Sequence, residues 1–186
     1  MKNREIEVKF LEINKDSLIK KLGELGAKDL GEDTLKEAIF YDKEGKWQYQ
    51  EIKFVRIRQT KADIFVTFKH KEVPRVTGTK EIEFTANDFE KVKDFLLEIG
   101  LVFFREQEKI RHKFMLDEVI VDIDTWPSIP TYVELEGPSE EAIKEAAATL
   151  GFEWSEAQFG LAHDVIERIY KIPVRSFRYF TFSKIE

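Results

Sequence analysis

The chain has 186 residues, 42% hydrophobic and 35% charged, which suits one folded domain with a real core rather than a disordered chain. It contains no cysteine, which excludes disulfides and thiolate metal sites, and its net charge of -6 argues against general nucleic-acid binding. The N-terminal "MKNREIEVKF" lacks the apolar stretch of a secretory signal, and no run of about 18 apolar residues offers a membrane span, so the sequence reads as cytoplasmic.

The first element, "EIEVKF" (5–10), alternates with strand period: Glu5, Glu7 and Lys9 fall on one face, Ile6, Val8 and Phe10 on the other. "DSLIKKLGELG" (16–26) then reads as a helix capped at Asp16, striped by Leu18, Ile19, Leu22 and Leu25 and stopped at Gly26. "ANDFEKVKDFLLEIG" (86–100) repeats that design and stops at Gly100, and "PSEEAIKEAAATLG" (138–151) does so again. A further helical pattern covers 156–169. The strand–helix–strand order after "EIEVKF" is echoed after "EIEFTA" (81–86), which suggests an internal duplication. No linker divides residues 1–172, which read as a single domain. The tail 173–186, with Phe177, Tyr179, Phe180 and Phe182, is too apolar to hang free and is expected to pack on the domain or at a homodimer interface.

Charged rows recur along the strands. Arg56 and Arg58 alternate with Val55 and Ile57; Thr67, Lys69 and Lys71 with Val66, Phe68 and His70; Glu81 and Glu83 with Ile82 and Phe84. Lys109, Arg111 and Lys113 follow, then Asp122 with Asp124, then Glu134 with Glu136, each opposite apolar neighbours. One such row is an ordinary solvated face. Seven rows, each nearly pure in sign, are not, because like charges two residues apart on a strand repel unless opposite charge lies between them. A closed or nearly closed antiparallel barrel, α+β in class, accounts for the segregation: charged faces line the lumen, and apolar faces lie outside beneath amphipathic helices. Mutual ion pairs would satisfy part of that set. A polyphosphate carried with divalent cations would satisfy the rest, since Arg and Lys match phosphate oxygens and carboxylates match hard cations.

These motifs together resemble the CYTH superfamily, the triphosphate tunnel metalloenzymes that include class IV adenylyl cyclase and thiamine triphosphatase. E-x-E-x-K stands at Glu5-Ile6-Glu7-Val8-Lys9, R-x-R at Arg56 and Arg58, T-x-K at Thr67 and Lys69, E-x-E at Glu81 and Glu83, and K-x-R at Lys109 and Arg111. An Asp ten residues before a final E-x-E selects Asp124, with Glu134 and Glu136 closing the series. The resemblance implies an eight-stranded antiparallel barrel whose charged tunnel binds a triphosphate with Mg²⁺ or Mn²⁺. It implies metal on Glu5, Glu7, Asp124, Glu134 and Glu136, the glutamates of that set being the catalytic group, and phosphate on Lys9, Arg56, Arg58, Lys69, Lys109 and Arg111. Lys71, Lys113 and Asp122 share those faces by periodicity alone.

The chain departs from the family pattern in three places. Phe114 replaces a tyrosine, "TWPSIPT" (125–131) replaces a short turn, and a Ser-Tyr pair is missing around "AHDVIERIY". The leading expectation is hydrolysis of inorganic or organic triphosphate. Class IV adenylyl cyclase is the near alternative, and a non-catalytic polyphosphate or nucleotide module is the alternative from another class. His70, His112 and His163 read as packing residues rather than ligands. So do Trp47, Trp126 and Trp154, with Trp126, beside Asp124, the one candidate for stacking on a base.

Overall fold

A computed structural model describes residues 6–51, 53–71 and 79–186. Nine strands form one sheet: β1 (Ile6–Phe10), β2 (Lys28–Asp42), β3 (Lys53–Gln59), β4 (Ile64–Lys71), β5 (Thr79–Ala86), β6 (Leu101–Leu116), β7 (Val119–Thr125), β8 (Tyr132–Gly137) and β9 (Tyr179–Phe180). Four α-helices accompany them among the described residues: α1 (Lys15–Glu24), α2 (Phe89–Glu98), α3 (Glu140–Leu150) and α4 (Ala162–Tyr170). Among the described residues, no helix is long and apolar enough to cross a membrane. The strand order is β1-β8-β7-β6-β2-β3-β4-β5, and the short β9 runs parallel to β6. The β1–β8, β2–β3, β3–β4, β4–β5, β6–β7 and β7–β8 pairings are antiparallel, so the expected α+β antiparallel architecture is present; among the described residues the path is open, with β1 and β5 as its ends. Exchanging β1–β4 with β5–β8 reproduces the same path in reverse, a topological form of the repeat seen in the sequence.

The chain divides into two compact units. The first contains residues up to Asp33 together with Lys109–Ser176; the second contains Thr34–Glu108 and Phe177–Glu186. In the first unit, Val8 and Phe10 of β1, Phe114 of β6, Val121 and Ile123 of β7, and Val133 and Leu135 of β8 form one core with Leu18 and Leu22 of α1 and Ile143 of α3. These are the apolar halves of the alternating strands, so the helices cover the faces opposite the charged rows. Burying each such side chain stabilises the fold by about 1.5–3 kcal/mol. The second unit repeats the scheme with Ala38, Phe40, Val55, Ile57 and Val66 against Phe89 and Leu96 of α2.

The helix boundaries shift slightly from the sequence pattern. Asn14, not Asp16, caps α1: its side chain accepts from the Ser17 N–H at 2.9 Å, which leaves Asp16 in the first turn, where its charge suits the helix N-terminus. Asp88 caps α2 and Ser139 caps α3. The expected stops Gly26, Gly100 and Gly151 all take positive φ, a conformation that glycine adopts without a Cβ penalty. The pattern over 156–169 yields a helix only from Ala162, because Gly160 turns at φ 105° and Gln158 bonds instead to β1. In the tail, Phe180 is buried and β9 pairs with β6 at Glu106 and Gln107.

Candidate functional site

In the first unit, β1, β8, β7 and the C-terminal half of β6 present their charged faces together. Register sets the neighbours: Lys9 lies opposite Glu134, Glu7 opposite Glu136, Asp122 opposite Glu134, and Arg111 opposite Asp124. Lys9 is 1% exposed, and its ammonium has three partners: Glu7 Oε1 at 3.0 Å, Glu134 Oε2 at 3.0 Å and the Gly160 carbonyl at 2.9 Å. Three donors meet three acceptors, which is what permits a buried lysine.

Asp124, fully buried on β7, is the hub of the cluster. Its Oδ2 accepts from Lys109 Nζ at 2.7 Å and Arg111 Nη2 at 2.6 Å, while Oδ1 accepts from Arg111 Nε at 2.6 Å. This is the bidentate fork that favours arginine over lysine. Burial pushes the Asp124 carboxyl up, but the Lys109 ammonium and the Arg111 guanidinium overcome it and hold the group below the usual carboxylate range. Burial likewise works against the Arg111 charge; Asp124, then Asp122 and Glu134, outweigh it and push the guanidinium pKa up. Asp122 goes the other way: burial raises its carboxyl more than Arg111 and Lys113 lower it. Arg111 bonds Asp122 Oδ2, whereas Oδ1 is buried without a hydrogen-bond partner and stands 3.8 Å from Lys113 Nζ.

The "TWPSIPT" segment leads into this hub. Trp126 Nε1 donates to the Tyr132 hydroxyl at 3.0 Å, and that hydroxyl donates to Asp124 Oδ2 at 3.3 Å. Because the tyrosine oxygen accepts from the indole, its own proton is left to point at the carboxylate. Burial, then Asp124 and Glu134, push the Tyr132 pKa well up, so the phenol stays protonated. Trp126 is 4% exposed and held through its ring nitrogen, so in this structure it packs rather than offering a face to a base. His112 bonds Asp29 at 2.8 Å and stacks on Phe114, and His163 packs edge-on against Trp126, in keeping with packing roles.

The second unit gathers the remaining predicted residues. On β4 and β5, Lys69 pairs with Glu81 at 3.1 Å, and the Thr67 hydroxyl donates to Glu83 at 2.7 Å. On β3, Arg58 Nε donates to Glu37 Oε1 at 2.6 Å, and Arg56 Nη1 lies 3.6 Å from the same oxygen. Burial pushes the Arg56 pKa down, with Arg58 adding to the effect, and Arg56 Nε is buried without a hydrogen-bond partner. Glu37, 5% exposed, and Gln107, 4% exposed, were not read from the sequence. Glu37 shares its strand face with apolar Leu35 and Ile39, so it forms no charged row; an isolated acid between apolar neighbours was the available signal. Glu5 lies outside the described residues, as does the side chain of Lys71.

Hard oxygen donors for a divalent cation stand in register in the first unit, where Glu7 faces Glu136 and Asp122 faces Glu134. Such cross-strand carboxylates repel unless a cation lies between them. Lys9 engages one oxygen of Glu7 and one of Glu134, Arg111 Nη2 lies 3.4 Å from the other Glu134 oxygen, and the buried Asp122 Oδ1 accepts no hydrogen bond. Asp124 has both oxygens engaged by Lys109 and Arg111. Among the described residues, no three of these side chains converge on a point. The donor chemistry fits a hard divalent cation, with Glu136 and Glu7 at the half-buried end of the row.

The sequence profile of the CYTH domain family matches residues 3–170. A Methanocaldococcus jannaschii protein named "Putative adenylate cyclase" is 25% identical over 133 residues, which is 71% of this chain and 75% of that one. Among solved structures, a Vibrio parahaemolyticus protein also described as a putative adenylate cyclase superposes with TM-score 0.71 at 14% identity, covering 90% of this chain and 99% of the other. A Hippeastrum protein, described as a putative adenylyl cyclase with a dominant triphosphatase activity, gives TM-score 0.62 at 14% identity, covering 93% and 99%.

Proposed function

The chain belongs to the CYTH domain family, and from that premise we propose that it is a metal-dependent enzyme hydrolysing inorganic triphosphate or an organic triphosphate. The family includes triphosphatases and class IV adenylyl cyclases, acts on triphosphate substrates and uses divalent metal ions. The observation that carries the reading is the segregation of charge on parallel positions of a repeated topology. β3 and β4 carry Arg56, Arg58 and Lys69, while their counterparts β7 and β8 carry Asp122, Asp124, Glu134 and Glu136. Cations suit phosphate oxygens, and carboxylates suit the cations that accompany a triphosphate.

In this reading Arg56, Arg58 and Lys69 of the second unit are phosphate ligands, and so are Lys109 and Arg111 of the first, with Lys113 beside them on β6. Glu7, Glu134 and Glu136, together with Glu5, would hold Mg²⁺ or Mn²⁺. Asp124 keeps Lys109 and Arg111 aimed and joins the metal set only by exchanging one of them. The bound ion would neutralise phosphate charge and acidify water. Lys9 ties the Glu7 and Glu134 carboxylates to the Gly160 turn and so keeps two of the donors in place.

Adenylyl cyclase is the second reading, favoured by the name of the Methanocaldococcus jannaschii relative. The enclosed Trp126 weighs against it, because the one aromatic candidate for base stacking is packed away. A panel of inorganic tripolyphosphate, ATP and other organic triphosphates, assayed with Mg²⁺ and with Mn²⁺ and read by product identity, tests both. Phosphate or pyrophosphate release without cyclic nucleotide supports hydrolysis, cyclic AMP from ATP reverses the order, and metal-dependent binding without turnover refutes the enzyme reading.

A further inference from the structure

We infer that Glu37, anchored by Gln107, is a positioning residue that aims Arg58 and Arg56 at a phosphate chain, an inference that rests on those arginines being phosphate ligands. Glu37 lies directly opposite Arg58 in the β2–β3 ladder, and Ile39 lies opposite Arg56. A carboxylate as buried as Glu37 is retained only when its oxygens are engaged. One oxygen takes Arg58 Nε at 2.6 Å and lies 3.6 Å from Arg56 Nη1; the other takes Gln107 Nε2 at 2.6 Å.

A guanidinium offers five N–H groups in a rigid plane, so gripping Nε fixes that plane and leaves the terminal amino groups of Arg58 for another ligand. Gln107 anchors the second carboxylate oxygen without adding charge. A lysine there would neutralise Glu37 and weaken its hold on the arginines. At ion-pair distance the two guanidinium groups share the Glu37 carboxylate, with Glu81 and Glu83 acting on Arg56 from farther off, so the site still favours a further anion, and Arg56 Nε remains a buried donor lacking a hydrogen-bond acceptor. An anion with several acceptor oxygens meets both needs, and a triphosphate chain is such an anion.

The test is calorimetric titration of inorganic tripolyphosphate, with chelator present to prevent turnover, into wild type and the variants R58A, E37A, E37Q and Q107A, each checked by circular dichroism. R58A and E37A are expected to weaken binding about tenfold, the effect of losing one charge-assisted hydrogen bond. E37Q should recover to within about threefold of wild type, since an amide oxygen still accepts from Arg58 Nε. Its NH₂ can donate to Gln107 Oε1, which now lacks a partner, once the Gln107 amide turns over. If Glu37 merely balances charge, E37A and E37Q both raise the local positive charge and bind more tightly, which overturns the inference. Unchanged affinity in E37A beside weakened R58A also overturns it and spares the phosphate reading, whereas unchanged R58A removes both. Should E37A fail to fold, Q107A decides: loss of the anchor predicts weakening of about threefold or more, and wild-type affinity refutes the role.

Discussion

Asp124→Asn is the sharpest probe of the first unit. The carboxylate accepts from Lys109 at 2.7 Å, from Arg111 twice at 2.6 Å and from Tyr132 at 3.3 Å, in a site closed to solvent. Asparagine keeps the volume but places an NH₂ donor against donors and leaves two cations without their counter-charge. Breaking a buried pair in this way costs about 3–5 kcal/mol. Against a total stability of about 5–15 kcal/mol, that is a large share. At about 2–4 °C per kcal/mol for a chain of this size, the melting temperature should fall by about 6–20 °C. The pH dependence has a definite sign. Asp124 has a folded pKa below its unfolded value, so its stabilisation is fully present above the unfolded value and fades as pH falls through the folded one. The gap between wild type and variant should therefore be widest near neutral pH and close in acid. Urea denaturation across pH 3–8, with the transition followed by circular dichroism, measures it. A D124N variant within about 1 kcal/mol of wild type at neutral pH would show that the hub does not hold this unit together.

Asp122→Asn should behave differently, because burial raises that carboxyl: its contribution is present below the unfolded pKa and is lost as pH rises through the folded one. At neutral pH the D122N cost is expected to be about 1 kcal/mol or less in the same urea titrations, and a loss exceeding that of D124N contradicts the electrostatic picture. Tyr132→Phe removes the acceptor of the Trp126 indole and should cost about 1–3 kcal/mol for the buried N–H left behind, seen as lowered melting with an intact far-ultraviolet spectrum. Gly137→Ala places a Cβ 3.0 Å from Ile143 Cγ1 and 3.3 Å from Val119 Cγ2, so α3 must shift on the sheet. A loss of about 1–3 kcal/mol is expected by thermal melting, and unchanged melting would mean that this junction is loosely packed.

Much of the architecture was legible in the residues because strand alternation is a local property. The period of two assigns Val8 and Glu7, or Ile57 and Arg58, to opposite faces whatever the partner strand is, and the leucine stripes of α1 and α2 follow as directly from the period of 3.6. The order of charged motifs, from Glu7 and Lys9 through Arg56 and Arg58 to Glu134 and Glu136, was enough to point to the family. Tertiary structure decided who meets whom. Lys9 finds the carbonyl of Gly160, Glu37 finds Gln107, and Asp124 rather than Asp122 takes the arginine fork, joining positions as far apart as 151 residues. Nothing local marks such partners, because they depend on cross-strand register and on how deeply each charge is withdrawn from water. The same physics makes Asp124 a stabilised carboxylate and Asp122, two residues away on the same strand face, a strained one.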